Sequence, residues 1–410
     1  MFMPAAERQS PPSPAPNRAL AMRSPFVRLR ELLGDKPPGQ PAISLAVGEP
    51  QHGVPSFVGP VLAASLDEFG KYPMNKGLDE FCETVATWLG RRFALPRPVD
   101  PATEVLVLNG SREGLFLAGI AAERWANGRV GRPAILMPNP FYGAYEAGAV
   151  AAHADPVFLP ATAATGFLPD LDSLSDDLLA RTVAFYLASP ANPQGSVASA
   201  DYFARLSALA RRHGFIVFSD ECYSEIYARE PPPGALEVAA RTGKRFENLV
   251  VFNSLSKRSN LPGLRSGFCA GDGAFLEMLA EIRNLVGPQM PGPTQHASAA
   301  IWAEEQHVAV NRQAYRAKYD ICDEVLRGRF GYRRPAGGFF LWLDMAPLGG
   351  GVDAAVTLWK RCGVKVVPGA FLAQAGRDGT NPAAAYVRVA LVHDPATIRE
   401  ALERIVALKS

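Results

Sequence analysis

The sequence predicts an α/β protein, with a large domain built on a mainly parallel sheet sandwiched by helices and a smaller α+β domain. Between about residues 104 and 252, apolar strands alternate with polar loops and amphipathic helices. Such alternation is typical of parallel strands joined by helices. After about residue 300 the pattern changes to strands with an aromatic cluster at 337–343, which indicates a second domain on a mixed sheet. A chain of 410 residues is long enough for both domains.

The composition favours a small-molecule partner over nucleic acid or a membrane. Apolar residues make up 48% of the chain, charged residues 20%, and the net charge is +2, so no basic surface for nucleic acid is expected. No stretch approaches about 18 uninterrupted apolar residues. Five separated cysteines form no C-x-x-C pair, which argues against a metal site or disulfides. We therefore expect a cytoplasmic protein.

Four segments are expected along the chain. Residues 1–24 are rich in proline and alanine and are predicted to form a flexible tail. Residues 25–52 form an N-terminal arm that belongs to the small domain, and its helix ends at Gly34. The large domain is predicted over 53–300 and the small C-terminal domain over 301–410.

A polar stretch after the predicted strand 249–252 carries the most informative chemistry. Ser254, Ser256 and Lys257 follow the strand, and Arg265 comes eight residues after the lysine. Hydroxyls and a guanidinium suit a phosphate, and a lysine becomes nucleophilic when burial or nearby cations lower its pKa. An amine beside a phosphate site indicates a Schiff base to pyridoxal phosphate. The alternative is a surface loop with a solvated lysine.

Further polar residues lie at other strand ends, where parallel sheets bind ligands. Ser111 and Arg112 open a helix directly after a strand, a position that suits a phosphate, although an N-cap is the commoner explanation for Ser111 alone. Asn192 offers an amide, yet its Asn-Pro sequence is also a common turn. Asp220 ends an apolar strand, where a carboxylate needs a cation such as a protonated pyridine nitrogen, unless it caps a helix.

Three more residues have two interpretations each. Tyr142 either stacks on a cofactor ring or simply packs. Arg388 lies between apolar neighbours and needs a carboxylate, either from a substrate or from an internal residue such as Asp344. Gly48 is better explained as supplying an unusual backbone conformation than as a functional residue.

Taken together, these motifs resemble those of the fold-type I pyridoxal-phosphate aminotransferases of class I and II. The resemblance covers residue 25 to the C-terminus. It rests on Gly110-Ser111-Arg112, Asn192-Pro193-Gln194-Gly195, Asp220-Glu221-x-Tyr223, Ser254-x-Ser256-Lys257 with Arg265, and Tyr386-x-Arg388. It implies an aspartate aminotransferase-like fold, pyridoxal 5'-phosphate as cofactor, amino acid and keto acid substrates, and a homodimer with shared active sites.

The resemblance also implies residue roles. Lys257 would form the Schiff base and move the proton at the substrate carbon, and Asp220 would pair with the pyridine nitrogen. Asn192 and Tyr223 would bind the ring hydroxyl, and Tyr142 would stack on the ring. Ser111, Arg112, Ser254 and Arg265 would hold the phosphate, Arg388 the substrate α-carboxylate with Gly48 and Asn192 nearby, and Tyr72 the neighbouring subunit's phosphate.

Two stretches, 24–33 and 254–267, look closest to the bacterial N-succinyldiaminopimelate aminotransferases. They imply amino transfer between glutamate and N-succinyl-2-amino-6-oxopimelate in the diaminopimelate and lysine pathway. The alternatives are an aminotransferase with an alanine, aspartate or aromatic substrate, a pyridoxal-phosphate C–S lyase, and a regulatory protein without catalysis. A substrate with several carboxylates needs extra cations, for which Arg23, Lys76 and Arg283 are candidates.

Overall fold

The computed structural model describes residues 23–126, 131–242, 245–287 and 289–408. Most of the predicted tail, residues 1–22, lies outside this part of the chain. The helices are α1 (Pro25–Leu33), α2 (Val58–Ala64), α3 (Asp79–Arg92), α4 (Ser111–Trp125), α5 (Gly143–Ala151), α6 (Asp176–Arg181), α7 (Ala200–His213), α8 (Ala235–Arg241), α9 (Leu255–Arg258), α10 (Gly273–Val286), α11 (Gly292–Ala303), α12 (Gln306–Leu326), α13 (Gly351–Cys362) and α14 (Pro395–Val406). The strands are β1 (Ile43–Ser44), β2 (Val105–Leu108), β3 (Ala134–Asn139), β4 (Asp155–Pro160), β5 (Thr182–Ala188), β6 (Ile216–Asp220), β7 (Leu249–Ser254), β8 (Gly267–Gly271), β9 (Phe340–Asp344), β10 (Val364–Lys365), β11 (Val367–Pro368) and β12 (Tyr386–Ala390).

A seven-stranded sheet lies at the centre of the large α/β part, in the order β2-β8-β7-β6-β5-β3-β4. Neighbouring strands from β4 to β7 run parallel, whereas β8 is antiparallel to both β7 and β2. Apolar side chains pack on both faces of this sheet, and its inner strands are therefore continuous apolar runs. The predicted α/β class is confirmed. The sequence analysis missed β4 and β8.

The C-terminal strands form a three-stranded antiparallel sheet in the order β11-β12-β9, and β1 and β10 form a separate parallel pair. The prediction of one mixed sheet was therefore wrong. The pair β1–β10 joins the N-terminal arm to this region, and Leu29 and Leu33 of α1 pack with Val367 and Leu372. The predicted domain boundaries stay predictions.

Local sequence signals explain how the helices begin and end. The hydroxyl of Ser199 accepts a hydrogen bond from the backbone N–H of Tyr202 and caps α7, and Gly214 ends that helix with a φ of +69°. None of the helices within the described ranges has the length and apolar character needed to cross a lipid bilayer. The strand ends of the large sheet, together with α1 and the C-terminal sheet, surround the main cavity.

Candidate active site

A cavity of about 1400 Å³ opens at the carboxyl ends of β3, β5, β6 and β7. Every site residue predicted from the sequence lines it except Tyr72. These lining residues are Gly48, Ser111, Arg112, Tyr142, Asn192, Asp220, Tyr223, Ser254, Ser256, Lys257, Arg265 and Arg388. Tyr72 is fully exposed on the surface and lies outside the cavity.

Lys257 lies in the short helix α9, which starts where β7 ends. The hydroxyl of Ser254 accepts a 3.1 Å hydrogen bond from the backbone N–H of Ser256 and so shapes this turn. Lys257 Nζ donates to the carbonyl oxygen of Gly48. Burial, together with the charges of Arg388 and Arg112, lowers the pKa of Lys257 to about 8. The surface-loop interpretation of this stretch is therefore wrong.

Asp220 at the end of β6 is a carboxylate without a cationic partner among the described residues. Its Oδ2 accepts a 2.7 Å hydrogen bond from the hydroxyl of Tyr145, and its Oδ1 accepts one of 3.2 Å from the backbone N–H of Cys222. Burial raises the pKa of Asp220, and these hydrogen bonds oppose the rise. A turn, not a helix, follows the strand. The helix-cap interpretation of Asp220 is therefore wrong, and the site suits a cationic group.

The start of α4 faces Arg265 and forms a cluster of hydrogen-bond donors. Gly110, with a φ of +79°, caps this helix, and a Cβ at that position would lie 2.4 Å from Arg265 Nη2. Ser111 is the first helical residue, so it is not the N-cap. Arg112 Nε donates a 2.6 Å hydrogen bond to the hydroxyl of Tyr142. Neither arginine forms an ion pair within the described ranges, so the charge available at this helix N-terminus suits an anion such as a phosphate.

Arg388 of β12 holds its guanidinium over the Phe340 ring, 4.4 Å from the ring centroid. It donates hydrogen bonds to Oδ1 of Asn192 over 3.1 Å and to the carbonyl oxygen of Ala46 over 2.8 Å. Burial lowers its pKa to about 10. Asp344 lies opposite Tyr386 in the sheet, and Arg388 forms no ion pair with any described carboxylate. The interpretation that Asp344 satisfies Arg388 is therefore wrong.

Aromatic rings make up much of the remaining wall. The ring of Tyr223 packs against those of Phe339 and Phe340, with centroids 5.3 and 5.9 Å away. Tyr145, which the sequence analysis missed, stacks on the buried ring of Tyr186 at 4.5 Å. Its only sequence signal is its place three residues after Tyr142, one helical turn along α5.

Only one of the three candidate cations for additional carboxylates lines the cavity. Arg23 does so, and it also pairs with Glu31. Lys76 pairs with Glu277 on the surface. Arg283 is 1% exposed and donates a 2.7 Å hydrogen bond to Glu113. Of the three candidates, Lys76 and Arg283 are thus already paired with carboxylates and lie outside the cavity lining.

Comparisons with known proteins agree with this geometry. Residues 40–405 match the sequence model of the family described as aminotransferase class I and II. The LL-diaminopimelate aminotransferase of Desulforudis audaxviator is 32% identical over 393 residues, which are 93% of this chain and 94% of that protein.

Two solved structures share the fold along almost the whole chain. A crystal structure of an aminotransferase from Neisseria meningitidis is 40% identical, with a TM-score of 0.89, and the match covers 95% of this chain and 99% of that one. A probable N-succinyldiaminopimelate aminotransferase from Thermus thermophilus is 24% identical, with a TM-score of 0.81 and coverage of 93% and 99%. The second likeness shows the fold alone.

Proposed function

The chain belongs to the class I and II aminotransferases and is a pyridoxal-phosphate-dependent transaminase, and we propose how its residues hold the cofactor and the substrate. When bound, pyridoxal phosphate supplies an electron sink for the substrate α-carbon. The unpaired charges of the cavity carry the proposal. Among the described residues, Asp220 has no cationic partner and Arg112 and Arg265 have no anionic one, and an amine of lowered pKa lies in the same cavity.

These charges fit the cofactor's own charged groups. Asp220 would pair with the protonated ring nitrogen, while Tyr145 and the backbone N–H of Cys222 hold the carboxylate in place. The ring hydroxyl would be bound by Asn192 and Tyr223, and Tyr142 would stack on the ring. The phosphate would be held by Ser111, Arg112, Ser254, Ser256 and Arg265, at the N-terminus of α4.

Lys257 would move the proton at the substrate α-carbon. With a pKa of about 8, its amine is partly unprotonated near neutral pH and can accept a proton and return it. The carbonyl oxygen of Gly48 accepts from Nζ and orients it. Arg388 would bind the substrate α-carboxylate beside Asn192, because its guanidinium has no protein carboxylate among the described residues.

We propose that the substrates are glutamate and N-succinyl-2-amino-6-oxopimelate, in the diaminopimelate and lysine pathway. The name of the Desulforudis relative supports a diaminopimelate compound, and the stretches 24–33 and 254–267 support its succinyl derivative. A cavity of about 1400 Å³ has room for a long substrate. The second candidate substrate is LL-diaminopimelate itself, which the name of the Desulforudis relative favours.

We also propose a homodimer in which Tyr72 reaches the partner's phosphate site. Tyr72 is fully exposed and lies near exposed Phe69 and Met74. The side chain of Asn75 donates to the carbonyl oxygen of Ala280 over 2.9 Å, which places this segment beside α10. At the end of α10, Leu285 and Val286 are 83% and 64% exposed. The exposed apolar side chains of Leu66, Phe69, Tyr72 and Met74, together with Leu285 and Val286, are of the kind that interfaces cover. The cytoplasmic location stays a prediction.

The direct test is an absorbance spectrum of the purified holoenzyme before and after adding each amine. We expect the cofactor band to bleach with glutamate and with N-succinyl-LL-diaminopimelate. Bleaching with LL-diaminopimelate but not with its succinyl derivative would favour the second candidate. Bleaching with glutamate alone would refute both substrates, and a Lys257→Ala variant that still formed the wild-type band would refute the role of the lysine.

A further inference from the structure

Five cations that line the cavity form no ion pair within the described ranges: Arg28, Arg112, Lys257, Arg265 and Arg388. The proposed function uses four of them. Arg112 and Arg265 face the phosphate, Lys257 supplies the amine, and Arg388 binds the α-carboxylate. Arg28 has no assigned anion, and a half-buried guanidinium without one is unusual.

The surroundings of Arg28 are suited to an anionic ligand. Its guanidinium stacks on the ring of Phe371, with 4.1 Å from Cζ to the ring centroid. Stacking occupies the flat face of the guanidinium and leaves the N–H groups at its edge free to donate. Arg28 lies on the same wall as Arg23, Ser24 and Phe26, so the first turn of α1 faces the cavity and adds the positive end of its helix dipole.

A second cation lies close to the first. Burial and then the charge of Arg23 lower the pKa of Arg28, so the two side chains repel each other when the cavity holds no anion. Arg23 is compensated by Glu31, whereas Arg28 is not. An anion bound at Arg28 would relieve this repulsion.

We propose that Arg28 binds the second, distal carboxylate of a dicarboxylic amino acid whose α-carboxylate is held by Arg388. Arg23 adds positive charge beside it. The inference rests on the proposed function, and it names the residue that selects a long dicarboxylic substrate. The planar guanidinium can form two parallel hydrogen bonds with a carboxylate, and such charge-assisted bonds are strong.

The test uses two amino acids of equal chain length, L-2-aminopimelate and L-2-aminoheptanoate, which differ only in the distal carboxylate. The rate of bleaching of the holoenzyme gives kcat/KM for each half-reaction. The wild type is expected to prefer the dicarboxylic acid. Arg28→Gln should lower kcat/KM for 2-aminopimelate by on the order of ten- to a hundredfold, mainly through KM, and leave 2-aminoheptanoate unchanged.

Arg30→Gln is the matched control, because Arg30 is exposed on the same helix and lies outside the cavity lining. It should change neither rate. Arg28→Lys keeps the charge but cannot form two parallel bonds, so it should lose part of the preference. If Arg28→Gln does not fold, Arg28→Lys provides the test. A full wild-type preference for 2-aminopimelate in Arg28→Lys would overturn the inference.

The outcomes separate the two proposals. If Arg28→Gln keeps the wild-type preference, or lowers both rates equally, Arg28 does not bind the distal carboxylate, although the wild type can still react with diaminopimelate derivatives. The wild type could instead react with glutamate and with none of the dicarboxylic amino acids that have longer chains. The proposed substrates would then be wrong, and so would the proposed role of Arg28.

Discussion

The hydroxyl of Tyr145 donates a 2.7 Å hydrogen bond to Oδ2 of Asp220, the carboxylate at the end of β6. Tyr145 is 1% exposed and stacks on Tyr186, which in turn donates to the carbonyl oxygen of Leu115 over 2.6 Å. The stacked rings of Tyr145 and Tyr186 thus hold the Asp220 carboxylate in position. Because this hydrogen bond helps to keep Asp220 ionised, the position of Tyr145 bears directly on how well the carboxylate can face a cationic ring.

Tyr145→Phe is expected to weaken pyridoxal-phosphate binding about tenfold, since one hydrogen bond to a charged group is lost. Titration of the apoenzyme, followed by absorbance, gives the dissociation constant. Tyr186→Phe is the matched control, because it removes a buried hydroxyl from the same stack without touching Asp220. Equal losses in the two variants would mean that Tyr145 acts only through packing.

The lowered pKa of Lys257 predicts a pH dependence for the apoenzyme. The lowered pKa favours the neutral amine, so the reactive fraction rises as the pH rises through about 8, whereas an ordinary lysine stays protonated to about 10.5. The rate at which added pyridoxal phosphate produces the visible band should therefore rise with a midpoint near pH 8 and level off by about pH 9. Rapid-mixing absorbance across this range measures it. A rate still rising steeply above pH 9 would contradict the burial of this amine.

Gly110→Ala should weaken cofactor binding by about tenfold or more. The added Cβ would lie 2.4 Å from Arg265 Nη2 and push the guanidinium away from the start of α4, and hydrogen bonds to charged groups contribute about 1.5–3 kcal/mol. Gly379→Ala is the control, because Gly379 has a φ of +80° and open space around it. Both variants place an alanine at a positive φ. Only Gly110→Ala should change the dissociation constant of pyridoxal phosphate. Equal constants in the two variants would exclude a role of this turn in binding the phosphate.

The exposed apolar side chains around Tyr72 predict that a charge placed among them weakens the association of the two subunits. Met74→Glu, at a position that is 61% exposed, should shift the protein toward monomers, because a charge would be buried at the interface. Val310→Glu, on α12 at 62% exposure, should leave the assembly unchanged. Analytical ultracentrifugation of both variants and the wild type makes the comparison. A monomeric wild type would refute the homodimer.

The sequence predicted that the strand-end residues lie together at one cavity, because polar groups that follow apolar strands share one edge of a parallel sheet. Asp220, Asn192 and Lys257 are examples. Residues reached through tertiary packing were missed. Tyr145 acts through a side chain from α5, and Arg28 differs from Arg30 only in the face of α1 that it occupies. No local pattern separates such pairs. The strand β8 was also missed, because its five residues begin and end with glycine, which weakens the strand signal.

A polar network lies behind Lys257. The side-chain amide of Asn311 donates to the carbonyl oxygens of Lys257 and Arg258 over 3.3 and 3.2 Å, and its Oδ1 accepts from His52 Nδ1 over 2.6 Å. His52 Nε2 accepts from Lys318 Nζ over 2.8 Å. Burial and the Lys318 charge lower the pKa of His52, in keeping with a neutral ring that donates at Nδ1 and accepts at Nε2.

Asn311→Ala should reduce kcat severalfold and lower the free energy of unfolding by about 1–3 kcal/mol, because two carbonyl oxygens and a histidine lose their partner. Gln313→Ala, exposed on the same helix, is the control. The decisive readout is the pH dependence of cofactor capture by the apoenzyme, which reports on Lys257 itself. If the backbone of Lys257 shifts, the midpoint near pH 8 should move. A loss of stability with an unchanged midpoint and kcat would show that the network supports the fold but does not position the lysine.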